Sequence, residues 1–139
     1  MVKQAAILLA EDDENDVFLL RRALEKAGLS DALVVARDGQ EAIDYLSGNG
    51  RQHLPGLLLL DLKMPRLDGF DVLKWLSTRP DLSDLPVVVL SSSCHEADRE
   101  QARKLGARDY KVKPSDFPKL VGLVRELHAR WLEGAPQTG

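Results

Sequence analysis

The chain of 139 residues fits one domain, and with 44% hydrophobic and 29% charged residues it has enough apolar material for a core and is not disordered by composition. Its formal net charge of -3 gives no electrostatic reason to expect direct nucleic-acid binding. It has no signal-peptide pattern, no apolar run long enough to span a membrane and a single cysteine, Cys94, so we expect a cytoplasmic protein without membrane contact or an internal disulfide.

Short, wholly apolar runs alternate with amphipathic stretches along the chain, and this alternation predicts strands that alternate with helices. The predicted strands are residues 5–10, 32–36, 57–60, 87–90 and 109–112. The last strand is more polar than the others, so we expect it near an edge of the sheet. The predicted helices are residues 14–27, about 42–46, 69–77, about 95–105 and a last helix that begins at residue 115 or 116.

Glycines and polar stretches mark where these elements end. Gly28 and Gly106 are predicted to stop the first and fourth helices. Residues 47–56 are rich in glycine and polar residues and show no periodicity, so they are predicted to form a surface loop. We expect a single domain of residues 1–133 and a flexible tail of residues 134–139.

Five strand–helix alternations without an internal repeat are typical of a doubly wound α/β fold with a five-stranded parallel sheet. Right-handed crossovers place the carboxyl ends of parallel strands along one edge of such a sheet. Ligands and chemistry gather at that edge. The side chains that directly follow the predicted strands are therefore the first candidates for a functional site.

Residues 57–69 contain the central feature of the chain. Four leucines in a row are too short for a membrane span and lack the polar face of a surface helix, so they predict a strand buried on both sides. Asp61 follows where this apolar run stops. Taken alone, Asp61 is equally compatible with opening a turn and with a chemical role.

The other predicted strand ends carry polar groups that complement Asp61, namely Glu11, Asp12, Ser91 and Lys113. Clustered carboxylates repel one another unless a cation lies among them, and hard oxygen ligands suit Mg²⁺. A lysine ammonium and a serine hydroxyl would neutralise and bind the oxygens of a phosphoryl group. The residues therefore predict a magnesium-dependent aspartyl phosphate on Asp61.

The candidate site residues lie in four segments, which in chain order are ILLAEDD (7–13), LDLKMPRLDG (60–69), VVVLS (87–91) and GARDYKVKP (106–114). Through these four segments the chain resembles the response-regulator receiver domains of bacterial two-component signalling. The resemblance implies a flavodoxin-like receiver fold with strand order 2-1-3-4-5. It also implies that Asp61 accepts a phosphoryl group from a histidine kinase.

The same resemblance implies a role for each remaining site residue. Asp12 and Asp61 would bind Mg²⁺ directly, Glu11 mostly through water and Lys63 through its backbone carbonyl. Asp13 is interpreted as a solvated neighbour of this set. Three further residues complete it: Lys113 as the lysine of the family pattern, Ser91 as the switch hydroxyl and Tyr110 as the aromatic switch.

Lys63 and Ser93 lie two residues beyond Asp61 and Ser91. In this family those positions border the path of the hydrolytic water, so they bear on the lifetime of the phosphoryl group.

The chain ends soon after the last helix, so we expect no effector domain, an unknown downstream protein partner and an output through a changed surface. It most resembles the stand-alone receivers that accompany phytochrome-type sensor kinases. A homodimer through the face of the fourth helix, fifth strand and fifth helix is a further hypothesis. That face carries charges of both signs, at Asp98, Arg99, Glu100, Arg103, Lys104, Arg108 and Lys111. Apolar surface is expected from Val121, Trp131 and Leu132.

Two other functions stay open beside the phosphorylation switch, which would catalyse only its own phosphorylation and dephosphorylation. A Mg²⁺-dependent phosphatase with an aspartyl nucleophile usually has a second acid two residues later, where this chain has Lys63. A receiver-like binding module without phosphorylation would have lost an acid or the lysine, and this chain has kept them.

Other reactive side chains give weaker patterns. The neighbours Cys94 and His95 have no third orienting group, so we do not expect a cysteine nucleophile. The three histidines, His53, His95 and His128, lack the spacing of metal ligands.

Overall fold

The computed structural model describes residues 7–29, 33–48 and 54–133. The strands are β1 (Ile7–Ala10), β2 (Leu33–Ala36), β3 (Leu57–Leu60), β4 (Val87–Ser91) and β5 (Asp109–Val112). The helices are α1 (Glu14–Lys26), α2 (Gly39–Gly48), α3 (Gly69–Leu76), α4 (Glu96–Lys104) and α5 (Phe117–Leu127). A short 3₁₀ turn, Pro80–Leu82, precedes β4, and α5 continues into a wider π-helical segment, His128–Glu133.

All five strands are parallel and lie in the order β2-β1-β3-β4-β5, which confirms the predicted fold. β3 occupies the centre, between β1 and β4, and its four leucines are at most 1% exposed. β5 lies at an edge, as its polar composition predicted. The apolar run before Asp61 therefore forms the middle of the sheet.

The two faces of the sheet bury two separate apolar clusters. Leu58 and Leu60 pack with side chains of α2, α3 and α4 on one face, while Leu57 and Leu59 pack with α1 and α5 on the other. This division follows from the alternation of side chains along a strand. Because helices cover both faces, the carboxyl edge of the sheet is left for polar side chains.

The structure differs from the sequence prediction at the second helix. α2 reaches Gly48, so the predicted loop of residues 47–56 was placed too early. The Ser47 hydroxyl donates to the Ile43 carbonyl at 2.8 Å and so satisfies a carbonyl in the last turn of the helix. Residues 5–6, 32, 49–53 and the predicted tail of residues 134–139 lie outside the described residues.

A second difference concerns the last helix. Val121 was expected to add apolar surface, but it is only 8% exposed and packs in the cluster that covers the α1–α5 face of the sheet. Trp131 and Leu132 are half-buried against the same cluster. The contact of α5 with α1 therefore uses a wider apolar stripe than helical spacing alone suggested. In the described part of the chain, no helix has the length and apolar character needed to cross a membrane.

The loop after β3 packs closely against the first turn of α3. The Gly69 N–H donates to the Leu62 carbonyl at 3.0 Å, and Asp68 and Asp71 form a capping box at the start of the helix. A Cβ on Gly69 would lie 2.4 Å from the Asp61 carbonyl oxygen. Glycine is thus required here because backbone approaches backbone directly beside Asp61.

We expect Gly69→Ala to lower the free energy of unfolding by about 2 kcal/mol, because the added methyl group overlaps backbone atoms of Asp61 and Leu62. Gly122→Ala in α5 is the matched control, since a Cβ there meets nothing within 4 Å. That control should raise stability by up to about 1 kcal/mol through helix propensity. Denaturant unfolding measures both changes, and a Gly69→Ala protein as stable as the wild type would contradict this packing.

Candidate functional site

Three carboxylates meet at the ends of the neighbouring strands β1 and β3. Oxygen atoms of Glu11, Asp12 and Asp61 all lie within 4.8 Å of one another. Backbone hydrogen bonds continue past the strands, from Glu11 N–H to the Ala36 carbonyl at 2.9 Å and from Asp61 N–H to the Ala10 carbonyl at 3.0 Å. Glu11 and Asp61 are buried, while Asp12 is exposed. The predicted acidic set is therefore brought together by the sheet itself.

Asp13 lies next to this cluster and has a local structural contact. Its carboxylate accepts hydrogen bonds from the Asn15 and Asp16 N–H groups at 2.9 and 3.1 Å, so it is the N-cap of α1. The Asp13 N–H in turn donates to Glu11 at 3.1 Å. Asp13 is exposed, as the sequence interpretation expected.

Lys113 follows β5 and reaches back toward the acids. Its Nζ lies 2.8 Å from Glu11 Oε1, 2.7 Å from Asp16 Oδ2 and 3.8 Å from Asp61 Oδ1. The Lys113 N–H donates to the Ser91 carbonyl at 2.8 Å, which fixes the lysine backbone next to the end of β4. Asp16 is a site residue that the sequence analysis missed, since its position predicted only the start of a helix.

Burial and charge act in opposite directions on these groups. Burial is the main cause that raises the pKa of Glu11 to about 7, aided by the charge of Asp61 and opposed by Lys113. Burial also raises the pKa of Asp61, against the attraction of Lys113. Burial disfavours the Lys113 ammonium, but its hydrogen bonds to Asp16 and Glu11 outweigh this and raise its pKa overall. One ammonium thus serves several carboxylates, and the site carries an excess of negative charge.

This excess of oxygen donors fits a hard divalent cation such as Mg²⁺. Lys63 is exposed in the loop after Asp61 and lines the same open cleft as the carboxylates and Lys113. Glu11, Asp12 and Asp61 are therefore described residues whose oxygens could hold such a cation.

Ser91 and Tyr110, the two predicted switch residues, are both buried and are connected through Ser93. The Ser93 N–H donates to the Ser91 hydroxyl oxygen at 3.1 Å, and the Tyr110 hydroxyl donates to the Ser93 carbonyl at 2.8 Å. The Ser93 hydroxyl donates to Asp98 in α4 at 2.6 Å. Ser92, rather than Ser91, lines the open cleft. Ser93 therefore joins the ends of β4 and β5 to α4, a link that its sequence position did not reveal.

An ion pair outside the cluster fixes the loop that follows Asp61. Arg66 has a positive φ of 66° and its Nε lies 2.9 Å from Asp38 Oδ2. The hydrogen bond from Arg66 is the main cause that lowers the pKa of Asp38. Asp38 also accepts from the Glu41 N–H at 2.8 Å in the first turn of α2. The loops after β2 and β3 are thereby tied together, and the sequence analysis did not predict this contact.

The face formed by α4, β5 and α5 carries charges that pair largely within the chain. Lys111 lies 2.8 Å from Glu126, and Arg103 lies 2.6 Å from Glu100. The Arg99 guanidinium lies 4.8 Å from the centre of the Tyr110 ring. This face is thus mixed in sign, but part of its charge is already neutralised.

The remaining reactive side chains lie apart from the cluster. Cys94 and His95 are exposed in the turn before α4, and His95 is the N-cap of that helix. His53 lies outside the described residues.

Comparison with known proteins gives a consistent result. A family model described as the response regulator receiver domain matches residues 7–125. FilR2 of Methanothrix harundinacea, a probable methanogenesis regulatory protein, is 38% identical over 129 residues, which are 91% of this chain and 83% of FilR2. Response regulator Rcp1 of Synechocystis sp. is 35% identical over 130 residues, which are 91% of this chain and 88% of Rcp1.

Solved structures show the same similarity in three dimensions. The phosphorylated cyanobacterial phytochrome response regulator RcpA matches with a TM-score of 0.84 and 34% identity, covering 95% of this chain and 96% of RcpA. The Mn²⁺-bound form of Rcp1 matches with a TM-score of 0.79 and 34% identity, covering 91% of this chain and 94% of Rcp1.

Without divalent cations, the stability of the protein is expected to fall as the pH rises through about 7. Because the pKa of Glu11 is raised from 4.5 to about 7, the folded state holds a proton that the unfolded state has already released. This contribution to stability is complete below pH 4.5 and is lost above about 7. Denaturant unfolding in a chelator across this range measures it. Glu11→Gln should flatten the curve, and an unchanged pH dependence in that variant would refute the assignment.

Proposed function

Because the chain belongs to the family of response regulator receiver domains, we propose that it is a switch in which Asp61 accepts a phosphoryl group from a histidine kinase. The observation that supports this proposal most directly is the position of Asp61, which follows the carboxyl end of the central strand β3. Its carboxylate lies with Glu11 and Asp12 in one oxygen cluster and 3.8 Å from the Lys113 ammonium. Phosphoryl transfer depends chiefly on such positioning and charge neutralisation.

The proposed transfer uses the carboxylate as nucleophile. An Asp61 oxygen attacks the phosphorus of a phosphohistidine, the P–N bond breaks, and the histidine nitrogen leaves with the bonding electron pair. Glu11, Asp12, Asp61 and the backbone carbonyl of Lys63 would hold Mg²⁺, which neutralises charge on the phosphoryl oxygens when bound. Lys113 donates a hydrogen bond to one of those oxygens. The Mn²⁺-bound structure of Rcp1 supports a divalent cation in this family.

The change in the surface would begin at Ser91. In this structure the Ser91 hydroxyl oxygen accepts a hydrogen bond from the Ser93 N–H. If the Ser91 hydroxyl donated to a phosphoryl oxygen, Ser91 would shift relative to Ser93. Ser93 also binds the Tyr110 hydroxyl and Asp98, so its displacement reaches β5 and α4 together. Ser91 and Tyr110 are thus proposed as the switch, with Ser93 as the connection between them.

A general phosphatase is the weaker alternative. An aspartyl phosphatase needs an acid to protonate the leaving group, and the residue two positions after Asp61 is the exposed Lys63. We therefore propose that the protein hydrolyses only its own phosphoaspartate. RcpA is described as a phytochrome response regulator, and we propose a phytochrome-type sensor kinase as the phosphoryl donor here and a separate protein as the receiver of the signal.

Incubation with acetyl phosphate and Mg²⁺ is expected to add one phosphoryl group to the wild type and none to Asp61→Asn, because the amide is not a nucleophile of comparable strength. Intact-protein mass spectrometry measures the product, and a chelator should suppress it. Equal labelling of the two proteins would refute Asp61 as the acceptor. Sustained release of phosphate from a small ester would favour the phosphatase.

A phosphoryl mimic is expected to strengthen a homodimer through the α4–β5–α5 face. Since Val121 is buried within the subunit, it adds no apolar surface to this contact, and complementary charged pairs across a two-fold axis are the attraction that we expect. Sedimentation velocity with and without beryllofluoride measures this. Arg108→Glu on the face should weaken the dimer, while Arg21→Glu on α1 should leave it unchanged. A monomer in both states would remove the hypothesis.

A further inference from the structure

The Lys113 ammonium is held closer to two other acids than to the proposed phosphoacceptor. An ammonium group has three donors, and those of Lys113 lie at hydrogen-bond distance from Asp16 and Glu11, at 2.7 and 2.8 Å. Asp61 is 3.8 Å away, outside the range of a hydrogen bond. The lysine that should serve the phosphoryl group is therefore bound elsewhere in this state of the protein.

The Asp16 carboxylate binds Lys113, a residue far along the chain, rather than a group of its own helix. Asp16 is the third residue of α1, where an acidic side chain commonly bonds back to the N-cap N–H. In α3 the equivalent acid does this, since Asp71 accepts from the Asp68 N–H at 3.1 Å. In α1 the N-cap N–H donates to Glu11 instead, and the Asp16 carboxylate binds Lys113, 97 residues further along the chain.

We propose that Asp16 is a positioning residue that holds Lys113 away from Asp61 until a phosphoryl group arrives. This inference rests on the proposed function. The contact is non-covalent, and no bond to Asp16 forms or breaks during the transfer. Asp16 would compete with the phosphodonor for Lys113, because the ammonium must leave the Asp16 carboxylate before it can bind the phosphoryl group.

The different exposure of the two acids fits this assignment. The Glu11 side chain is 4% exposed and belongs to the oxygen cluster that would hold a divalent cation, whose charge would compensate Glu11 when Lys113 moves. The Asp16 side chain is 35% exposed, so water solvates its carboxylate once the lysine leaves. Breaking the contact between Asp16 and Lys113 thus leaves no buried charge without a partner. The contact can therefore break and form again each time a phosphoryl group is bound and lost.

The test is the rate of labelling by acetyl phosphate, at a donor concentration well below saturation and with saturating Mg²⁺. Asp16→Asn is expected to react roughly two- to fivefold faster than the wild type, the range expected when a partly exposed ion pair is lost. Asp16→Glu, which keeps the carboxylate, should restore the slow rate. A role limited to the stability of the helix would change the unfolding midpoint but would not accelerate labelling.

Glu14→Gln is the matched control, because it removes the same formal charge from the same turn. Glu14 is exposed and pairs with Arg37, so this variant should label at the wild-type rate. Equal rates for Asp16→Asn and the wild type, or equal acceleration by Asp16→Asn and Glu14→Gln, would overturn the role of Asp16 while leaving Asp61 as acceptor. A wild type that is not labelled at all would end both the proposed function and this inference.

Discussion

The burial of two carboxylates, Glu11 and Asp61, near the Lys113 ammonium is the constraint on which the rest of this structure depends. Glu11 and Asp61 follow adjacent buried strands. The single positive charge of Lys113 does not offset the effect of burial on their pKa values, which are raised. Unpaired buried charge is costly, so a cation bound among these carboxylates would stabilise them. Burial, and to a smaller extent the neighbouring acidic charge, raises the pKa of Glu11 and of Asp61, and a bound divalent cation would act in the opposite direction.

The geometry around Asp61 is held by contacts that are not themselves chemical. Gly69 allows the first turn of α3 to approach the Asp61 backbone, and Arg66 ties the loop after β3 to Asp38 at the start of α2. These contacts limit the movement of Asp61 relative to the neighbouring strand ends. Lys113 and Ser93, in contrast, each contact more than one other element through hydrogen bonds.

Two paths lead away from the acidic cluster. Lys113 connects it to α1 through Asp16, and Ser91 connects it through Ser93 to Tyr110 and α4. Lys113 and Ser91, at the start of the two paths, are the groups that would bind phosphoryl oxygens in the proposed reaction. Their hydrogen bonds to Asp16 and Ser93 would then couple occupancy of the site to α1, β5 and α4.

The sequence by itself determined the elements, the sheet and the acidic cluster. Apolar runs such as Leu57–Leu60 specify buried strands locally, and parallel topology then brings the following residues, Asp61 among them, to one edge. Only the tertiary structure decided which side chains meet across the folded chain. The Asp16 contact with Lys113, the Arg66 contact with Asp38 and the burial of Val121 depend on how helices and loops pack, because spacing along one element does not specify the partner that another element brings to it.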